Sequence, residues 1–103
     1  MFHILNRFSI HVNRKMPTIF GMKTEFSLQF GALLKALRQE RKISQQKLAE
    51  AAGVERNYVY YLERGDSEPT LGVLMGLAYG LGMSFKEFAA LIEALPDAQT
   101  NRK

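Results

Sequence analysis

Between Phe26 and Pro96 the apolar residues recur every three or four positions, the spacing of helices with one buried stripe. Phe30, Leu33, Leu34 and Leu37 share a face bordered by Lys35, Arg38 and Gln39, which predicts a first helix over about 27–41. Ser44 has the character of an N-cap, because its hydroxyl can accept from a free amide of the next turn. A second helix follows over about 45–52 with Leu48, Ala49 and Ala52 inward, and Gly53 marks a reversal that needs positive φ. A third helix covers about 55–64 and stops at Gly65. Thr70 caps a fourth over about 71–80, whose buried stripe is Leu71, Leu74, Leu77, Ala78 and Leu81, with Gly82 as terminator. Ser84 and Glu87 form a capping box for a fifth over about 85–95, closed by Pro96. The expected fold is all-α, a compact five-helix domain at 26–96 followed by a polar tail at 97–103.

The segment before Phe26 has a different pattern. Phe8, Ile10 and Val12 alternate with polar residues, a hint of one strand, but a single strand cannot bury its own face. Met16 and Met22 are internal methionines. Residues 1–25 are therefore read as a basic arm, either flexible or an extension upstream of a start at Met22, with contact to a polyanion as the third reading. The formal net charge is +4, and its placement matters more than its size. Residues 1–24 hold Arg7, Arg14, Lys15 and Lys23 without an acid, whereas residues 25–103 balance ten bases with ten acids. Within that part, 35–64 carries seven bases against four acids. The basic surplus thus sits on the N-terminal arm and on the half of the domain that holds the first three helices, a placement that suits a polyanion.

Several function classes are disfavoured at this level. With no Cys there is no thiol nucleophile or thiolate metal site, and the expected location is the reducing cytoplasm. His3 and His11 lie in the arm, and no glycine-rich phosphate loop follows a strand. No apolar run reaches the roughly 20 residues of a membrane span. The expectation is a non-enzyme with no metal, cofactor or membrane partner.

The third helix is asymmetric. With Val54, Tyr58, Val59 and Leu62 inward, a step of about 100° per residue leaves Arg56, Asn57, Tyr60 and Tyr61 outside. Gly72, Gly76 and Gly80 repeat every four residues on the fourth helix, costing about 2.5–3 kcal/mol against alanine. Two readings stand for them: a flat stripe, Gly76 central, against which a second subunit packs, or a weak helix tolerated by the fold. Phe88, Ile92 and Leu95 give the fifth helix more apolar surface than so small a domain covers, so they are expected at a homodimer interface.

The fragments LRQERKISQQKLAEAAGV, YVYYLERG and PTLGVLMGLAYGLGMSFKEF together resemble the phage repressor and Cro-like helix-turn-helix domain, the xenobiotic-response-element family of regulators. The spacing before YV and the ERG ending are similar, more weakly, to restriction–modification controller proteins. The resemblance implies a lambda-repressor-like fold with the helix-turn-helix at the second and third helices. It implies that Gln45 bonds a DNA phosphate, that Arg56, Asn57 and Tyr61 meet base edges, and that Arg64 contacts the backbone. Arg38 and Glu63 match a partly buried ion pair. The side-chain chemistry agrees, since Arg can clasp guanine and Asn adenine bidentately. Tyr60 joins the base-contact candidates, with packing on a neighbouring loop as its other reading. Ser44, Lys42 and Lys47 join the phosphate candidates.

This chain departs from the family pattern at Lys42, where a glycine commonly ends the first helix, and at Glu55, where a hydroxyl cap is usual. The implied function is sequence-specific regulation of transcription by a homodimer on a palindromic operator in double-stranded DNA. With only a short tail after the fifth helix, regulation through the protein's own concentration is expected. The alternative is an antitoxin-type interaction module that neutralises a partner protein.

Overall fold

The computed structural model describes residues 23–96 and residue 98. The strand hint at 8–12, both histidines and most of the proposed arm and tail lie outside the described residues. Within them the order is α1 (Glu25–Glu40), α2 (Gln45–Ala52), α3 (Arg56–Arg64), α4 (Leu71–Leu81) and α5 (Phe85–Glu93), with no strand. The helices close around Phe30, Leu34 and Leu37 of α1, Leu48 and Ala49 of α2, Val59 and Leu62 of α3, Leu77, Ala78 and Leu81 of α4, and Phe88 of α5. Full burial of each large side chain stabilises by about 1.5–3 kcal/mol.

Local chemistry sets the helix boundaries. Thr24, Ser44, Thr70 and Ser84 each accept a backbone N–H of the following first turn through the side-chain oxygen. The Ser84–Glu87 capping box forms as expected. Another, between Thr24 and Ser27, starts α1 two residues before the predicted boundary. Buried Ser27 also donates to the Gly65 carbonyl at 2.9 Å, tying the start of α1 to the end of α3. Glu55 begins α3 without a side-chain cap.

Four helix ends share one device. Gly53, Gly65 and Gly82 have φ of 77°, 84° and 75°, and Lys42 takes the same conformation at φ 58° after α1. At each end the next residue's N–H reaches back to a carbonyl of the last turn: Ile43 to Arg38, Val54 to Ala49, Asp66 to Tyr61 and Met83 to Ala78. Lys42 bears a left-handed penalty of about 1–2 kcal/mol, offset partly by a less free unfolded chain. Lys42→Gly is therefore expected to raise stability by about 0.5–1 kcal/mol in urea unfolding. A neutral or destabilising result contradicts the strain assignment.

Three expectations need correction. Leu71 does not belong to the buried stripe of α4; it is 64% exposed, at the solvent edge of the helix with Met75 and Tyr79. Gly76 does not await a second subunit, because a Cβ there would lie 2.7 Å from the Ala52 carbonyl oxygen. A Cβ at Gly80 would meet Leu48 and Ala51, whereas Gly72 faces open space. Gly76 and Gly80 thus let α4 lie close on α2 of the same chain, which offsets the helix propensity these two sacrifice, while Gly72 has no such role. Phe88 is not an interface residue either. It is fully buried, its ring 6.1 Å from that of Phe30, because it occupies the centre of the apolar arc on α5. Ile92 and Leu95 are half-buried against the core.

Candidate nucleic-acid interface

Helices α2 and α3 meet at the Gly53 turn, and α3 presents two unlike sides. Val59 and Leu62 are fully buried, with Val54 and Tyr58 packed beside them. Arg56, Asn57, Tyr60, Tyr61 and Arg64 are exposed, as the helical period requires. The Tyr58 hydroxyl donates to the Glu68 carbonyl at 3.3 Å, and burial pushes its phenol pKa up. Tyr58 thereby anchors α3 to the loop that follows it.

A polar chain runs beneath the exposed side. Arg38 of α1 donates to both Glu63 carboxylate oxygens, at 2.6 and 3.0 Å, and to the Ile43 carbonyl at 3.0 Å. The pair is well covered, its side chains 12% and 4% exposed. Gln45 at the start of α2 donates to Glu63 at 2.9 Å and accepts from Arg56 at 2.9 Å. The sequence Arg38–Glu63–Gln45–Arg56 therefore links three helices and ends on the exposed side of α3. Gln45 is already engaged at both ends of its amide, which leaves one N–H and one lone pair for another partner. The ion-pair expectation for Arg38 and Glu63 matches this geometry. The orienting bond that Arg56 donates to the Gln45 carbonyl oxygen is a further element, invisible in the spacing of the residues.

The C-terminal part of α3 is arranged differently. The Tyr60 and Tyr61 rings meet edge to face at 5.5 Å, and the Arg64 guanidinium lies over the Tyr60 ring at 5.5 Å. Tyr60 thus packs on these neighbours along its own helix. Arg64 is paired with Asp66 at 2.8 Å, and Lys23 reaches the same carboxylate at 3.5 Å. The hydrogen bond from Arg64 holds the Asp66 carboxyl below its ordinary range, and that bond raises the Arg64 pKa in turn. A phosphate approaching Arg64 must compete with Asp66, a restraint that the sequence reading missed. Ser44 is spent partly on capping, its oxygen accepting the Lys47 N–H. The Lys42 and Lys47 side chains are exposed on either side of the α2 start.

Among the described residues no cluster of metal-ligating side chains is present, and no helix is long and apolar enough to cross a membrane.

A helix-turn-helix family model matches residues 34–88, from the middle of α1 into α5. The chain is 44% identical over 55 residues to the HTH-type transcriptional regulator SutR of Escherichia coli, a match covering 53% of this chain and 31% of SutR. It is 42% identical over 53 residues to the immunity repressor protein of Bacillus phage phi105, covering 52% of this chain and 37% of the repressor. The chain thus spans about a third of the length of the curated relatives it matches. Among solved structures it is similar to the restriction–modification controller protein C.AhdI of Aeromonas hydrophila. That match has a TM-score of 0.57 at 34% identity and covers 60% of this chain and 94% of the controller.

Proposed function

The chain belongs to the Cro-like helix-turn-helix family, and on that premise we propose that it regulates transcription by binding a specific sequence in double-stranded DNA. The observation that carries this reading is the exposed side of α3, where Arg56 is held by Gln45 above a covered ion pair. A side chain fixed in this way arrives at a base edge with less rotamer freedom to lose. Arg56 and Asn57, in the first turn of α3, serve as the base readers, Tyr61 as an apolar or hydroxyl contact, and Tyr60 as its support. Gln45, Lys42, Lys47, Ser44 and Arg64 position the backbone.

We further propose a homodimer on a palindromic operator. The exposed stripe Leu71, Met75 and Tyr79 on α4, with Phe85 and Leu91 at the margins of α5, supports an apolar contact with a second copy. Met75 and Tyr79 are 53% and 77% exposed, unusual for large apolar side chains spaced one turn apart. Two recognition helices related by a two-fold axis then read half-sites about 34 Å apart. Selection of bound duplexes from a random pool tests both parts: a palindromic consensus is expected, and recovery of unrelated sequences refutes specific reading. Tyr79→Lys is expected to turn a sedimenting dimer into a monomer with little loss of helicity. A dimer that survives this change and Met75→Lys excludes α4 as the interface.

A further inference from the structure

A groove of about 200 Å³ opens between α1, the start of α2 and α3, lined by Lys35, Arg38, Gln45, Tyr60, Glu63 and Arg64. That is far more than the roughly 15 Å³ that one water needs. We infer that this groove seats a phosphate of the DNA backbone and that Lys35 of α1 is the residue that supplies its charge. The inference rests on the DNA-binding reading above and adds a contact outside the helix-turn-helix pair.

The charges in the groove decide the ligand class. Arg38 and Glu63 neutralise each other through two hydrogen bonds. Gln45 is neutral, and Arg64 shares its charge with Asp66. Lys35 is exposed and has no ion-pair partner among the described residues. The groove is therefore cationic, and its uncommitted charge is Lys35. The Arg64 guanidinium, stacked over Tyr60 at the groove wall, can add a second donor if Asp66 yields.

Position favours a duplex over a free anion. Gln45 lines the groove and also holds Arg56, so the groove adjoins the exposed side of α3. A duplex laid on Arg56 and Asn57 brings a strand of phosphates alongside. Lys35 then fixes how α3 is presented without reading a base.

The test is Lys35→Gln in the full chain, with affinity measured over a salt series on the selected duplex and on a scrambled duplex of equal length. Both affinities are expected to fall by the same factor, several-fold at low salt, and the slope of log affinity against log salt to become shallower by about 0.9. Lys35→Arg restores both, and Lys86→Gln on α5 changes neither. An unchanged slope in Lys35→Gln, with the wild type still selecting its duplex, overturns this inference and leaves the DNA-binding reading intact. A wild type that binds no duplex overturns both. Binding of inorganic phosphate that Lys35→Gln abolishes while the DNA slope stays unchanged assigns the groove to a small anion and also overturns the proposal.

Discussion

Glu63→Ala is expected to lower stability by about 3–5 kcal/mol in urea unfolding. The carboxylate it removes accepts three hydrogen bonds, two from Arg38 and one from Gln45. Arg38 would be left with a covered guanidinium and only the Ile43 carbonyl as a partner outside its own helix. An uncompensated buried charge costs more than the pair itself contributes, because both ions were already desolvated. The paired replacement Arg38→Met with Glu63→Leu should therefore regain much of the loss. It should not regain DNA affinity, since Gln45 then loses the anchor from which it holds Arg56. A loss below about 1 kcal/mol for Glu63→Ala would place the pair in the class of exposed bridges and remove the physical basis of the polar chain.

Gly31→Ala is expected to destabilise by about 1–3 kcal/mol, against the helix preference that favours alanine by about 1 kcal/mol. A Cβ at residue 31 would lie 2.5 Å from the Leu62 carbonyl oxygen and 2.6 Å from that of Glu63. Both atoms belong to the backbone of α3, so no side-chain rotation relieves the clash. Helix α1 must move off α3, which also stretches the Arg38–Glu63 pair and the Ser27–Gly65 bond. Circular dichroism during thermal unfolding measures the sign. A stabilised variant would mean that α1 is not seated where these contacts put it.

The two glycine-dependent contacts mark the limit of what was legible in the sequence. Caps and terminators are local: Ser44, Thr70 and Ser84 accept from the turn they begin, and Gly53 and Gly82 end helices wherever the chain must turn left-handed. Even Lys42 was legible, because the requirement for positive φ survives the change of residue. Close approach between helices is not local. Gly31 passed unremarked in an apolar stretch, and Gly76 suggested a second subunit when its neighbour is Ala52. Phe88 was misassigned for a related reason. Phe85, Phe88, Leu91 and Ile92 on α5 define an arc, but only packing tells its centre, Phe88, from its exposed margins, Phe85 and Leu91. In the candidate interface, periodicity separated the exposed from the covered residues of α3. The pairing of Gln45 with Arg56 and of Arg64 with Asp66 depends on side-chain directions that no spacing encodes. Lys35 is legible in the sequence only as a polar border of the α1 stripe, because it lies outside the helix-turn-helix motif that points to phosphate contacts.

Base reading by α3 is tested most directly by the affinity of Arg56→Ala across a panel of duplexes in which each position of the selected site is changed in turn. A loss of about 1–3 kcal/mol is expected, confined to one base pair per half-site: the variant no longer distinguishes bases there, while preferences elsewhere and the salt slope stay largely as in the wild type. A variant that keeps every preference, or one that weakens all duplexes equally, would contradict base reading by α3.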